Sequence, residues 1–583
     1  MTGDLTAGRA LCLFLLAIAS LNMAVLWAQT GSAEEPQAML PVIDCAALSG
    51  SDLSPVGGAG SKVLSAEEKT LNNVRFCVVT SRLAPSITLQ TLLPVESWSG
   101  RYLQTGCGGL CGNIAFNVGA AAGCAPLDTG GFVLAATDMG HTREEGDFGN
   151  DPQKRQDFAY RAQHLTAVAS KALIQRYYGT AARKSYFNGC SDGGREALAE
   201  AQRYPDDFNG IIAGAPAMNF QAQNALHHAW LAVSNTGPDG RAIITADRLA
   251  LIHQAVLEAC DALDGDRDGL ISMPHRCHFN PRALQCKHDP ERPQASCLSR
   301  QEATAVAHFY RGPVDPATGE KLTIGGPLPG SELAWAGVFV PRMQGDPIFS
   351  TRAALSALRY LSFEQNPPAG FSLRDLAFSA ATFDRLRPLH RLYDATNPDL
   401  SAFEQAGGKL IIWHGLADPH ISPLNSIAYH QAVGRTLGET QRDSFERLYL
   451  LPGVYHCSGG EGPSLVDFLT PMMNWVEYGR APGEIPAWRP APREKNRFGQ
   501  PQGGPPGKRE AVRLRLQAIP PGAPSRPVYP YPQVAVYNGQ GDKAQAGNYH
   551  PAAPDDLPAR YPWRGEDFYQ PYSPPATGGA GDQ

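Results

Sequence analysis

Asn188-Gly-Cys-Ser-Asp-Gly-Gly194 is the stretch on which the reading of this chain turns. It contains Gly189-x-Ser191-x-Gly193, the only Gly-x-Ser-x-Gly in the sequence. Ser185-Tyr-Phe-Asn188 before it reads as a short strand, and Arg195-Glu-Ala-Leu-Ala-Glu-Ala-Gln-Arg203 after it has helical spacing. A serine on such a strand–turn–helix junction sits in a tight, strained turn. Glycines are needed on both sides because a Cβ there would strike neighbouring backbone. The strain lifts the hydroxyl above the sheet, and the helix N-terminus aims amides, starting with that of Asp192, at a developing oxyanion. The spacing alone also fits an ordinary Gly-rich turn. The flanking strand and helix are what point to a nucleophile.

Outward from this turn the same alternation continues. Gly131-Phe-Val-Leu-Ala-Ala-Thr-Asp138, Gly210-Ile-Ile-Ala-Gly-Ala-Pro216, Lys409-Leu-Ile-Ile-Trp413 and Arg447-Leu-Tyr-Leu-Leu451 are short apolar runs of buried-strand type. Tyr160 to Tyr178, stopped by Gly179, and Ile427 to Leu437 read as helices. Strands separated by helices give an α/β class with a parallel sheet covered on both faces. Residues 217–394 change character, with an acidic loop, four cysteines and Gly/Pro-rich turns, and read as an inserted lid domain. The catalytic domain is then discontinuous, 34–216 and 395–545. From residue 482 onward 20 of the 49 prolines fall within 102 residues, so 546–583 is expected to be a disordered Pro-rich tail.

A serine nucleophile needs a base and an acid, and this architecture places the acid and then the histidine later in the chain. Asp418 follows the strand ending at Trp413, and His456 follows the strand ending at Leu451. Both lie on loops after strand C-termini, where α/β sheets collect functional groups. His414 and His420 compete locally as the base, but they precede the end of the acid-bearing loop and break the order. The second oxyanion donor is expected from the loop Thr105-Gly-Cys-Gly-Gly-Leu-Cys-Gly112, at Gly108 or Gly109.

Composition sets the surroundings. A 43% hydrophobic and 18% charged chain can bury a core, which excludes wholesale disorder. A net charge of −6 gives no electrostatic support for nucleic-acid or anionic-membrane binding. Arg9, the apolar run Ala10–Ala19 and the small residues before Gly31-Ser-Ala33 read as a signal peptide over 1–33, cut after Ala28 or Ala33. Twelve cysteines agree with an oxidising compartment. The mature protein is expected in the periplasm or secreted, with no membrane segment after cleavage.

The elements Gly-Cys-Ser191-Asp-Gly-Gly-Arg-Glu and His456-Cys457, with Gly-Cys-Gly-Gly-Leu-Cys-Gly112, Asp138-Met-Gly-His141 and Gly408-Lys-Leu-Ile-Ile-Trp-His-Gly415, resemble the tannase/feruloyl esterase family over roughly residues 40 to 550. That family includes mono(2-hydroxyethyl) terephthalate hydrolases. The resemblance implies an α/β-hydrolase fold with a large lid, and a disulfide between Cys190 and Cys457. One departure is visible. Where the family often carries a C-terminal cysteine pair, Tyr529 and His550-Pro551 stand here.

Cys260-Asp-Ala-Leu-Asp-Gly-Asp-Arg-Asp-Gly-Leu-Ile271 packs four aspartates into eight residues. Carboxylates this close repel unless a cation neutralises them, and their interleaving with glycine suits Ca²⁺. An EF-hand frame places Asp264, Asp266, Asp268 and Gly269 correctly, but its twelfth position is His275 instead of Glu. The resemblance implies a different frame: carboxylates of Asp261, Asp264 and Asp268 with backbone oxygens of Asp266 and Leu270. Cys260 and Cys277 bracket the loop, Cys286 and Cys297 close a smaller one, and Cys45 and Cys77 would tie the N-terminal region. Cys107, Cys111 and Cys124 leave an odd thiol.

The expected activity is that of a serine carboxylesterase acting through an acyl-enzyme on a small aromatic or phenolic ester. Terephthalate-type monoesters are an alternative substrate. A serine peptidase and a catalytically silent binding protein on the same scaffold are the rival classes. The lid aromatics Trp335, Phe339, Phe349 and Phe363 are expected to supply the acyl pocket, although each alone could equally be lid core.

Overall fold

Side chains alternate across a strand, so adjacent apolar residues in the central strands must feed two different cores. Ile211 and Ile412 pack into one cluster, and their neighbours Ile212 and Ile411 into the other. This is why the central strands are continuous apolar runs: both faces are covered. The computed structural model describes residues 37–143, 145–287, 291, 294–368, 370–491 and 514–573. The elements below lie within the unit Met39–Gln583. The expected signal segment 1–33 falls outside the described residues.

The nine sheet strands are β1 (Lys62–Leu71), β2 (Val74–Leu83), β3 (Ile87–Pro94), β4 (Arg101–Thr105), β5 (Phe132–Thr137), β6 (Lys184–Cys190), β7 (Gly210–Gly214), β8 (Lys409–Gly415) and β9 (Glu446–Leu451). Their spatial order is β1-β2-β3-β5-β4-β6-β7-β8-β9. The first three form an antiparallel meander joined to β5, and the strands from β5 to β9 run parallel. Helices α1 (Ala162–Tyr178) and α2 (Asp192–Arg203) cover one face. Residues 217–394 follow β7 and carry α3 (His228–Ser234), α4 (Leu249–Cys260), α5 (Arg300–Arg311) and α6 (Phe349–Tyr360). Beyond β8, α7 (Leu424–Leu437) joins the first face, and α8 (Leu469–Tyr478) covers the other. This is the sheet and helix arrangement of an α/β-hydrolase.

The inserted segment has its own apolar cluster, in which Leu231, Leu249, Ile252, Phe309, Trp335 and Phe339 are all buried. Its α5 starts with a reciprocal capping box between Ser299 and Glu302, which satisfies two amides that no helix can satisfy internally. Among the described residues no helix is long and apolar enough to cross a membrane.

The C-terminal expectation needs correction. The strand Val534–Tyr537 pairs with Tyr549–Ala552, so the chain is ordered across residue 546. Further on Trp563, Phe568 and Tyr569 are buried, and the Phe568 ring stacks on His390 at 3.8 Å. Proline removes helix and central-strand options but does not prevent burial of aromatic surface. Here that burial holds 546–573 on the body. Residues 574–583 lie outside the described set.

Candidate functional site

The parallel register brings three strand ends to one edge. Cys190 of β6 lies opposite Gly214 of β7, Gly214 opposite Trp413 of β8, and Leu451 of β9 opposite Gly415. The next residues on β6, β8 and β9 lead to Ser191, Asp418 and His456. Ser191 caps α2 with φ +68° and ψ −122°, a strained conformation for a residue with a Cβ. The neighbouring glycines are obligatory. A Cβ on Gly189 would lie 2.3 Å from the Gly193 carbonyl, and one on Gly193 2.8 Å from the Cys107 carbonyl.

Ser191 Oγ lies 2.8 Å from His456 Nε2, and His456 Nδ1 lies 2.7 Å from Asp418 Oδ2. Asp418 is fully buried. Its Oδ1 accepts the amides of His420 and Ile421 at 2.8 and 3.0 Å. Burial alone would push this carboxyl upward, but the charge of His456 and hydrogen bonds from His414 and His456 outweigh it and hold it far below the carboxylate range. Of the local competitors, His414 lies on the far side of Asp418, with Nε2 at 3.2 Å from Oδ2. The His420 ring sits beside that of His456, centroids 4.8 Å apart. Burial pushes His420 down to about 3, and His228 beside it well below the usual imidazole range, so both rings are neutral at neutral pH.

Ser191, His456 and Gly108 border a cavity of about 850 Å³. The first amide of α2, that of Asp192, has no acceptor within the helix, as is general for a helix start. Gly108 and Gly109 line the same cavity on the loop closed by a Cys107–Cys111 disulfide. The Gly193 amide donates to the Cys107 carbonyl at 2.7 Å, so the loop is seated on the start of α2. Arg195, fully buried, grips both carboxylate oxygens of Asp192 at 2.7 and 2.9 Å and donates to the Phe158 and Ala159 carbonyls. Cys190 and Cys457 are disulfide-bonded, which staples the residue before Ser191 to the residue after His456.

The lid aromatics divide. Phe349 lines the cavity together with His228 and Gln223. Trp335, Phe339 and Phe363 are buried at 0%, 0% and 4% exposure and do not line it. Trp335 and Phe339 belong to the lid's own cluster, and Phe363 to the cluster that covers the first face of the sheet. Spacing in a helical or turn-rich segment cannot tell which aromatic faces inward to its own cluster and which faces the catalytic body.

The remaining cysteines pair as Cys45–Cys77, Cys260–Cys277 and Cys286–Cys297. The odd thiol is Cys124, buried, with burial pushing it up to about 12 and so keeping it protonated and inert. In the acidic loop, Asp264 Oδ2 and Asp266 Oδ2 are buried without a hydrogen-bond partner. The Asp261 carboxylate accepts the Gly269 amide at 3.0 Å. Asp268 pairs with Arg526, and Asp266 with Lys543, both cations supplied by the C-terminal segment. Arg526 also stands 3.7 Å from Asp264 Oδ2. An all-oxygen donor set with two buried oxygens that accept no hydrogen bond fits a hard cation. Arg526 and Lys543 neutralise part of the same charge.

The sequence profile of the family described as tannase and feruloyl esterase matches residues 71–552. The chain belongs to this family. It is 32% identical over 534 residues to the mono(2-hydroxyethyl) terephthalate hydrolase of Piscinibacter sakaiensis, covering 80% of this chain and 82% of that one. It is also 32% identical over 453 residues to an Aspergillus flavus protein named probable feruloyl esterase B-1, covering 73% of this chain and 80% of that one. The crystal structure of feruloyl esterase B from Aspergillus oryzae superposes with a TM-score of 0.71 at 25% identity, over 87% of this chain and all of the other. Tannin acyl hydrolase from Aspergillus niger shares the fold, with a TM-score of 0.62 at 21% identity over 87% of this chain and 91% of the other. As a tannase/feruloyl esterase family member, the protein is a carboxylic ester hydrolase.

Proposed function

We propose that the protein is an exported serine carboxylesterase that hydrolyses small aromatic or phenolic acid esters through an acyl-enzyme. The unbroken relay from Ser191 Oγ through His456 to Asp418, opening onto the cavity, carries this reading. Ser191 Oγ attacks the acyl carbonyl while His456 Nε2 takes its proton. Asp418 accepts the His456 Nδ1 proton in a hydrogen bond, fixes the tautomer and stabilises the imidazolium. The amides of Asp192 and Gly108 receive the oxyanion. The intermediate collapses as His456 returns the proton to the leaving alcohol oxygen. Water, deprotonated by the same imidazole, then attacks the acyl-serine and releases the acid and free Ser191.

The acyl group would lie against Phe349, Phe220 and Trp413, flat rings that favour a planar aromatic acid over a flexible chain by about 0.5–1.5 kcal/mol per stacked ring. A terephthalate-type monoester is the second reading, because the guanidinium-bearing residues Arg143 and Arg515 also line the cavity and could pair with a free carboxylate. A panel of methyl esters tests both. The expected order has hydroxycinnamoyl and galloyl esters above aliphatic esters by tenfold or more in kcat/KM. The terephthalate monoester should exceed its uncharged diester only if the arginines engage it. A preference for aliphatic acyl groups would overturn the aromatic reading.

We also infer a structural Ca²⁺ held by Asp261, Asp264 and Asp268, with the backbone oxygens of Asp266 and Leu270; the buried Asp264 Oδ2, which accepts no hydrogen bond and has Arg526 only at 3.7 Å, supports it. When bound, the ion would screen the loop's carboxylates and steady the lid; no step of the hydrolysis runs through it. A ligand that binds only the folded state adds about 2.7 kcal/mol at a hundredfold excess over Kd. EDTA should lower Tm, and Ca²⁺ should restore it better than Mg²⁺. No shift on chelation, with no bound metal by elemental analysis, would remove the site.

A further inference from the structure

A polar ring is buried near the end of β8, directly after an apolar run. Leu410, Ile411, Ile412 and Trp413 lead to His414, which is 0% exposed. A buried imidazole is costly unless both nitrogens are bonded, and here they are. Nδ1 lies 2.8 Å from Ser426 Oγ on α7, and Nε2 lies 3.2 Å from both Asp418 Oδ2 and the Ile421 carbonyl. Two acceptors at Nε2 require the proton there, so Nδ1 accepts from the Ser426 hydroxyl.

From this arrangement we infer that His414 is a positioning residue for ester hydrolysis: wedged between Ser426 and Asp418, it holds the carboxylate that faces His456. The inference rests on the reading of Ser191, His456 and Asp418 given above. Asp418 Oδ1 is fixed by two loop amides, but Oδ2 is shared between His456 Nδ1 and His414 Nε2. Without His414, that oxygen would answer to His456 alone, and the side of the carboxylate turned toward α7 would have no donor. The chain of contacts therefore runs from a helix through a strand residue to the acid and on to the base. His414 does not line the cavity, so substrate never meets it.

The donor has a second effect. It draws charge from Oδ2 and so weakens the support that Asp418 gives a His456 imidazolium. The titratable groups facing this pair are His414 from β8, His420 from the loop after it, and His227 and His228 from the lid side of the cavity. Burial pushes the last three down, leaving them neutral through the working range. Removing His414 leaves Asp418 with more charge for His456, favours the imidazolium, and moves the acid limb of kcat/KM to higher pH.

The test compares His414→Leu, which removes the donor, with His414→Gln, which keeps an N–H at similar reach. His414→Leu should lower kcat by about 10- to 100-fold, the scale of a misplaced catalytic group, with KM within about twofold. Its acid limb should move to higher pH. His414→Gln should recover most of kcat and the original limb. A folded His414→Leu with kcat within twofold of wild type overturns the inference, as does a fall in kcat with an unmoved acid limb. If His414→Leu fails to fold, Ser426→Ala takes its place. It should lower kcat several-fold and move the limb in the same direction, and an unchanged profile overturns the proposal. Activity in Ser191→Ala would bring down the underlying site reading. An inert Ser191→Ala beside wild-type-like His414 variants would bring down this inference alone.

Discussion

Ser191→Ala is expected to lower kcat by about 10⁴–10⁶-fold while leaving Tm nearly unchanged. In the proposed mechanism the hydroxyl is the attacking atom, and it lies 2.8 Å from His456 Nε2. The strained backbone at position 191 is held by the glycine turn and the start of α2, and alanine carries the same Cβ. A chromogenic ester assay on purified protein, with a thermal melt as the folding control, reads both halves. Turnover near the wild-type rate would show that Ser191 is not the nucleophile. Asp418→Asn and His456→Ala belong to the same unit, so their losses should not add to that of Ser191→Ala.

Replacing both Cys190 and Cys457 by serine is expected to cost stability and activity together. The bridge closes a loop with a sequence separation of 267, worth about 5 kcal/mol in the chain-entropy account. Each cysteine is also the immediate neighbour of a proposed catalytic residue. Loss of the crosslink lets the His456 loop drift from the Ser191 turn, and a shift near 1 Å costs on the order of a hundredfold in rate. Peptide mapping without reduction should recover the crosslinked pair from the wild type. Free thiols at both positions, or a double variant as stable and active as the parent, would refute the role.

How much of this was legible in the sequence follows from how local each constraint is. The Ser191 turn was readable because strand, glycines, serine and helix are contiguous, and backbone sterics act over those few residues. The β7, β8 and β9 cores were readable because burial on both faces leaves an uninterrupted apolar run. The long antiparallel strand β1 was not singled out, because it is largely exposed and carries few apolar residues. The Cys107–Cys111 pairing stayed open because three thiols lay within reach in sequence, and only the fold of the loop separates them from Cys124.

What the sequence determined by itself was the α/β order of elements, the Gly-x-Ser-x-Gly turn, and the succession of Ser191, Asp418 and His456 on post-strand loops. All of these follow from short-range sterics and from the rule that parallel strands need covered crossovers. Only the tertiary structure decided where the competing imidazoles sit, His414 against Asp418 and His420 beside His456. It also decided that Phe349 alone among the four lid aromatics reaches the cavity, and that 546–573 packs on the body instead of trailing from it. Those outcomes depend on distances between residues far apart in the chain, and hydrophobic or hydrogen-bonding partners at that range leave no periodicity in the sequence to read.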